Sequence, residues 1–175
     1  MLTPTLKLKH LLIILVVSFI SCSKILPSGF WLNYKTNLIT EKQNNQGPFG
    51  GRLAINWIAN KNTGFNIKEV TELAAKNNWK LIDSSIYKKS ELINMTDLGK
   101  PTIYLPLKNF TPKPKIQDLK SEAVTRWIEK DFKLYRFKTD WLIFEPGTND
   151  STQENGFIVI SSDNKQMTVY HLWGE

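Results

Sequence analysis

Apolar and polar positions change their periodicity along the chain, and these changes predict the elements of one folded domain. Between residues 52 and 59 the large apolar side chains alternate with smaller or polar ones, a pattern that predicts a half-buried strand. Between residues 67 and 74 the apolar spacing becomes three and four, and Asn66 with Glu69 makes a capping-box-like start. This segment is therefore predicted to be a helix, and Asn77–Asn78 supplies the residue type that tolerates a left-handed cap at its end.

The second half of the chain predicts one more helix and several strands. Residues 79–83 are predicted to form a strand, and residues 116–131 have the clearest amphipathic helical spacing, with Phe132 as a candidate last member. Three further strands are predicted at residues 141–144, 157–161 and 167–173. We expect these three to form an antiparallel meander packed against the 116–131 helix. Strands that are segregated from helices predict an α+β fold, with an antiparallel sheet packed against one or two amphipathic helices.

The first 22 residues have the composition of an export signal. Lys7 and Lys9 give a basic start, Leu11–Ile20 is apolar, and the small residue Ser21 precedes Cys22. A helix over residues 11–22 would be about 18 Å long, whereas the apolar core of a bilayer is about 30 Å thick. The segment is too short to span a membrane, so we expect a secretory signal.

Cys22 is the only cysteine of the chain, and it directly follows Ser18-Phe19-Ile20-Ser21. This ending resembles the lipobox of bacterial lipoproteins. The resemblance covers about 22 residues and implies that the Cys22 thiol receives a diacylglyceryl group carrying fatty acids such as palmitate. It also implies that signal peptidase II cuts before Cys22, which becomes the first residue of the mature protein. The alternative is that Cys22 is a buried thiol that follows an ordinary cleaved signal.

The predicted organisation is a signal peptide at 1–21, a lipidated N-terminus and tether at 22–50, and a single α+β globular domain at 51–175. Glycine, proline and polar residues dominate the predicted tether. An aromatic segment at residues 30–34 interrupts the tether. The preferred interpretation is that this segment docks on the domain as an edge strand, and the alternative is that it lies near the lipid interface. Ser23 resembles the sorting residue of outer-membrane lipoproteins. We therefore expect a lipid-anchored envelope protein on the outer membrane, facing the periplasm or the cell surface.

The net charge of +7 narrows the choice of partners only slightly. Without Lys7 and Lys9 the mature chain has 21 basic and 16 acidic residues, a net charge of +5. This excess favours polyanionic surfaces such as phospholipid headgroups or wall glycans. An exported protein rarely meets nucleic acid, and only 3 of the 23 basic residues are arginines that could form bidentate contacts. We expect no nucleic-acid partner, and an AT-rich genome is the simpler explanation of the many lysines.

Few residues of the mature chain have the chemistry of a catalytic site. It contains one histidine, His171, and no sequence typical of a zinc, redox, serine-hydrolase or phosphate-binding site. His171 could serve a serine or aspartate partner, but a structural or surface role is the preferred interpretation. The spacing of Asp83, Asp140 and Glu145 does not single out an acid–base pair. We therefore predict no catalytic residue, no metal and no cofactor.

The aromatic residues provide the remaining candidates for binding. The chain has six tryptophans, and this residue type is common in carbohydrate platforms and at protein interfaces. Trp57 and Trp127 lie on apolar faces and are predicted to be core residues. Trp31 and Trp173 lie near the ends of the mature chain and are predicted to be exposed binding aromatics. The preferred hypothesis is a non-catalytic protein-binding or accessory domain, and the alternatives are a glycan or cell-wall polymer binding module and a small hydrolase with an unrecognised site.

Overall fold

The computed structural model describes residues 26–92, 96–97, 100–101, 130–145 and 147–174. In chain order the elements are two 3-10 helices (Gly29–Asn33 and Thr36–Leu38), β1 (Ile39–Gln46), β2 (Gly50–Ile58), helix α1 (Ile67–Lys76), β3 (Lys80–Tyr87), the short helix α2 (Lys89–Leu92), β4 (Thr96–Asp97), β5 (Lys100–Pro101), β6 (Phe132–Lys138), β7 (Ile143–Phe144), β8 (Ser151–Thr152), β9 (Gly156–Ser161) and β10 (Gln166–Gly174).

One eight-stranded sheet organises the described part of the domain. Six strands follow the order β1-β2-β10-β9-β6-β3, and every neighbouring pair in this order is antiparallel. The short strand β7 pairs with the end of β10 in parallel and with β8 in antiparallel orientation, and β4 with β5 forms a separate hairpin. The predicted antiparallel sheet is confirmed. The described part of the chain contains more strand than an α+β prediction suggests.

Helix α1 begins and ends where its capping residues predict. The side chain of Asn66 accepts a hydrogen bond of 2.9 Å from the backbone N–H of Lys68, which satisfies one of the free donors at the start of the helix. Val70 and Ala74 are fully buried against the sheet. Asn78, just after the helix, has a left-handed φ of 63°, as expected for a residue at this kind of helix end.

The main core lies between the sheet and α1. Alternate residues of the central strands point to this face because successive side chains of a strand lie on opposite sides. The buried members of this cluster are Trp31, Tyr34, Leu53, Ile55, Trp57, Phe65, Val70, Ala74, Trp79, Tyr135, Phe137, Ile158, Ile160, Met167, Val169 and Trp173. Burying one large apolar side chain contributes about 1.5–3 kcal/mol, so this cluster is the principal source of stability.

The opposite face of the sheet carries a second cluster of buried side chains. Its members are Phe132, Leu134, Phe157, Val159 and Tyr170. All six residues of β9 are buried, so this strand is enclosed on both faces. The predicted helix at 116–131 lies almost wholly outside the described residues, and its packing on the sheet stays a prediction.

The prediction of a tether over residues 22–50 is wrong for residues 29–46, which form two 3-10 helices and the strand β1. A 3-10 helix at Gly29–Asn33 docks on the main core, and the side chain of Trp31 is fully buried. The indole N–H of Trp57 donates a 2.9 Å hydrogen bond to the carbonyl oxygen of Tyr34, which fixes this segment to β2. The aromatic segment at 30–34 thus docks on the domain, as the preferred interpretation has it, but as a 3-10 helix and not as an edge strand. The domain begins well before residue 51.

Two strands lie where the sequence predicts a loop and the end of a helix. The polar segment Ile39–Gln46 pairs with β2 along its length as β1, although its sequence predicts a loop. Phe132 is the first residue of β6 and not the last residue of a helix, because its backbone pairs with Tyr87 and Ser161 on either side. Of the predicted meander, β9 and β10 are antiparallel neighbours, as expected. The meander prediction is wrong for residues 141–144, where β7 pairs with β10 in parallel.

Candidate functional site

Both tryptophans predicted to be exposed are buried, so that prediction is wrong. The Trp31 ring lies edge-on to the rings of Trp57 and Trp79, with centroid distances of 6.4 and 5.7 Å. Trp173 packs beside His171, with ring centroids 5.2 Å apart. Proximity to a chain end suggested exposure, but such rings gain about 0.5–1.5 kcal/mol from each aromatic pair beyond the gain from burial. Neither residue can stack on a sugar ring in solution.

His171 lies in a buried network that joins the start of the domain to its last strand. Its Nδ1 lies 2.5 Å from the hydroxyl oxygen of Ser28, and its Nε2 lies 3.3 Å from the hydroxyl oxygen of Thr139. Thr139 in turn donates a 2.7 Å hydrogen bond to the side-chain oxygen of Asn155. All four residues are buried. The prediction of a structural role fits this position, although the sequence did not indicate which residues His171 contacts.

The donor and acceptor of each hydrogen bond in the network can be worked out from Asn155, the last of the four residues. The amide nitrogen of Asn155 donates to the carbonyl oxygens of Trp141 and Leu172, so its side-chain oxygen must accept from Thr139. Thr139 therefore accepts from Nε2 of His171, which leaves Nδ1 to accept the proton of Ser28. A single neutral tautomer of His171 satisfies every partner.

Burial reinforces the neutral state of His171. Removal of the ring from water lowers the pKa of His171 from its ordinary 6.5 to about 3. Trp79 and Trp173 flank the ring, each with a centroid distance of 5.2 Å, and provide no negative charge that would stabilise an imidazolium.

A serine hydroxyl on a histidine ring is the pairing that activates a nucleophile in many hydrolases. Here the side chain of His171 is fully buried and Ser28 is nearly so, which leaves no room for a substrate against either atom. A general base also works best with a pKa near the working pH, and that of His171 lies far below it. The arrangement is suited to holding the chain in place.

The acidic residues singled out in the sequence lie apart from this network. Asp83 on β3 forms an ion pair with Arg136 on β6, while Asp140 is exposed in the loop after β6. Glu145 follows β7 and its backbone pairs with the 147–150 turn. Within the described ranges, no three His, Cys, Asp or Glu side chains are grouped closely enough to hold a metal ion.

The exposed edge strand β3 is the feature best suited to binding. Among the described strands its only neighbour is β6, so no strand in the described part of the chain pairs with its outer edge. Three large apolar side chains on β3 are nevertheless exposed: Leu81 and Ile82 by about half, and Ile86 by 70%. Proteins usually protect such edges with charged residues, proline or a covering element, because an exposed apolar edge pairs with other chains.

The other edge of the sheet differs in chemistry. The strand β1 has the sequence ITEKQNNQ, in which polar and charged side chains follow Ile39. Such side chains discourage pairing with a second chain. The two edge strands of the described sheet therefore contrast: β3 exposes large apolar side chains, whereas β1 exposes mainly polar and charged ones.

A shallow open depression of about 520 Å³ adjoins the start of β3. Thr71 and Ala75 of α1 line one side of it, and Lys80 and Leu81 of β3 line the other. A side chain from a strand laid along β3 could rest in this depression. Leu81 and Ile82 lie at an irregularity of the β3–β6 pairing, where the register shifts between Leu81 and Asp83.

Cys22, the predicted lipid attachment residue, lies outside the described residues. None of the helices in the described part of the chain has the length and apolar character that a membrane crossing requires. Comparison of the chain with protein-family models, with curated proteins and with solved structures found no match.

Proposed function

We propose that the chain is an envelope lipoprotein, acylated at Cys22, whose domain binds another envelope protein along the β3 edge. The outer membrane is the expected location because Ser23 follows the cysteine. The open apolar edge of β3 is the observation that carries the protein-binding part of this proposal. The domain acts as an accessory or binding module without catalysis.

The mode of binding follows from the geometry of β3. An extended segment of the partner adds a strand to the sheet, its main chain pairing with the open edge, while apolar side chains cover Ile82 and Ile86. Lys80 begins the strand and Lys89 lies two residues beyond its end, whereas the single acid of β3, Asp83, is paired with Arg136. We therefore expect acidic residues on either side of the apolar part of the partner segment.

The structure favours protein binding over the two alternatives. The two tryptophans predicted to be exposed binding aromatics, Trp31 and Trp173, are buried, which removes the observation that favoured a glycan platform. A hydrolase needs an accessible nucleophile and base, and the Ser28–His171 pair is enclosed.

Site-specific photo-cross-linking in living cells tests the proposal. A photoreactive amino acid replaces Ser84 in the middle of β3, and in a control chain it replaces Asn44 in the middle of β1. Both positions are exposed on edge strands, so the two chains differ mainly in which edge carries the probe. We expect a discrete protein adduct from position 84 that is absent from position 44.

A second variant links the adduct to the apolar edge. The double substitution Ile82→Lys and Ile86→Lys should abolish the adduct from position 84 without loss of fold, because both side chains already face solvent. The matched control, Asn44→Lys, should leave it unchanged. An adduct of equal yield from both edges, or one that survives the double substitution, would overturn the β3 assignment.

A further inference from the structure

A second group of exposed apolar side chains lies at one end of the sheet, around Gly174. Phe49 is 77% exposed, and Trp141 and Leu142 are each about 40% exposed. The carbonyl oxygen of Leu142 accepts a 2.8 Å hydrogen bond from Gly174, and a Cβ atom on Gly174 would meet the backbone of Phe49. The β1–β2 turn and the loop after β6 therefore converge here, and the three side chains form what we call the end patch.

The chain enters the domain at this same end of the sheet. Ser28 contacts His171, which precedes Gly174 by three residues along β10, or about 10 Å at the rise of a strand. The network that begins at Ser28 also ends on the backbone carbonyl of Trp141, through Thr139 and Asn155. The entry point and the end patch thus belong to one rigid region.

The distance from Ser28 to the predicted anchor is short. Ser28 lies six positions after Cys22 in the sequence, and even a fully extended chain of that length spans only about 20 Å. A domain of roughly 150 residues has a radius of gyration of about 15 Å, so such a connection is shorter than the domain is wide. A lipid on Cys22 therefore keeps the Ser28 end of the sheet closest to the bilayer.

The chemistry of this end suits a phospholipid interface. Tryptophan is enriched at the headgroup level of membranes, where its ring is half in apolar and half in polar surroundings. Lys80 and Lys138 are both exposed at this end and lie directly opposite each other in the β3–β6 register. Like charges in this position repel, and an anionic headgroup beside them would relieve the repulsion.

We propose that the end patch of Phe49, Trp141 and Leu142 is a membrane-contact face that rests on an anionic phospholipid interface, with Lys80 and Lys138 beside the headgroups. This inference rests on the proposed anchor at Cys22. It fixes the orientation of the domain: the end patch faces the lipid, and Ile86, at the other end of the sheet, faces away.

Fluorescence quenching of the full lipidated protein tests the inference. The protein is reconstituted into vesicles of phosphatidylethanolamine and phosphatidylglycerol whose acyl chains carry bromine near the headgroups. Bromine quenches tryptophan only at short range, and the other described tryptophans are buried. We expect quenching of the wild-type protein, most of which is lost in Trp141→Phe.

Exposed-residue variants provide the second measurement. The double variant Phe49→Ser and Leu142→Ser should also lose most of the quenching. The variant Ile86→Ser, whose side chain is 70% exposed but distant from the patch, should retain it. Replacement of phosphatidylglycerol by phosphatidylcholine should weaken quenching in the wild type and have less effect in the double variant Lys80→Gln and Lys138→Gln. Circular dichroism checks that each variant is folded.

Flotation and intact mass of the same samples separate the two proposals. Protein that carries acyl groups and floats with the vesicles, but whose quenching is unchanged by Trp141→Phe, would overturn the membrane-contact face and leave the anchor intact. Protein without acyl mass would overturn the anchor and, with it, the orientation.

Discussion

The hydroxyl oxygen of Ser28 lies 2.5 Å from Nδ1 of His171, although 143 residues separate the two in sequence. This contact ties the first described turn of the chain to its last strand in a region where both side chains are buried. An unmet polar group in such a place costs about 1–3 kcal/mol, so the pair is stabilising only while both partners are present and His171 is neutral.

The neutrality of His171 predicts an acid-sensitive fold. Its pKa is about 3 in the folded chain and close to its ordinary 6.5 in the unfolded chain, so below pH 6.5 the unfolded chain binds more protons. The free energy of unfolding should therefore fall by roughly 1 kcal/mol per pH unit as the pH drops from 6.5 to 5, above the range where most carboxylates titrate. Urea unfolding across this interval measures the slope. The variant His171→Asn should be less stable at pH 7 but nearly insensitive to pH here, and an equal slope in both proteins would refute the assignment.

Substitutions of Ser28 separate its hydrogen bond from its backbone conformation. Ser28 has a left-handed φ of 64°, which glycine adopts freely and alanine does not. Ser28→Ala and Ser28→Gly both leave Nδ1 of His171 without a donor, which should lower the free energy of unfolding by about 1–3 kcal/mol. Alanine should be worse than glycine by about 1 kcal/mol because it keeps the strain. Denaturant unfolding of the three proteins is the measurement, and a more stable alanine variant would contradict the left-handed conformation.

Truncation of Trp31 tests where the domain begins. Trp31 is fully buried, so Trp31→Ala should destabilise the fold by about 3–5 kcal/mol. The matched control is Trp141→Ala, whose side chain is 39% exposed and should cost about 1 kcal/mol or less. Thermal unfolding of both variants compares them. Equal losses would mean that the Gly29–Asn33 helix is not part of the core.

The proposed anchor predicts the fate of a cysteine variant. Two or three acyl chains, at about 0.8 kcal/mol per buried CH₂, hold a protein on a membrane almost permanently. Cys22→Ser should therefore appear in the soluble fraction or remain as an uncut precursor, while the wild-type mass should show added acyl groups on a chain that starts at Cys22. Cell fractionation and intact-mass spectrometry measure both. A serine variant that is matured and still membrane-bound would rule out lipidation at this residue.

The sequence predicts those elements whose side-chain pattern matches their surroundings. The alternation of Leu53, Ile55 and Trp57 predicts β2 because one face of that strand packs on the main core. The capping residue Asn66 predicts the start of α1 because the interaction is local in sequence. In each case the sequence pattern that predicts the element spans only a few neighbouring residues.

The elements that the sequence does not predict depend on partners that are far away in sequence. The polar strand β1 has no apolar alternation because it is an edge, and pairing with the backbone of β2 makes it a strand. The burial of Trp31 depends on Trp57 and Trp79, which are remote in sequence. The Ser28–His171 contact cannot be predicted from the sequence for the same reason, because no local pattern links two residues so far apart.

The position of β10 has a consequence for how the chain reaches its folded state. This strand is the last of the described strands in sequence order, yet it lies between β2 and β9 in the middle of the sheet. The strands β2 and β9 cannot be joined in one sheet until residues 166–174 have been synthesised, and contacts over such long sequence separations form slowly. Until then β2 and β9 each lack one of their two neighbours, so a chain interrupted before residue 166 would expose two unpaired strand edges that can pair with other chains.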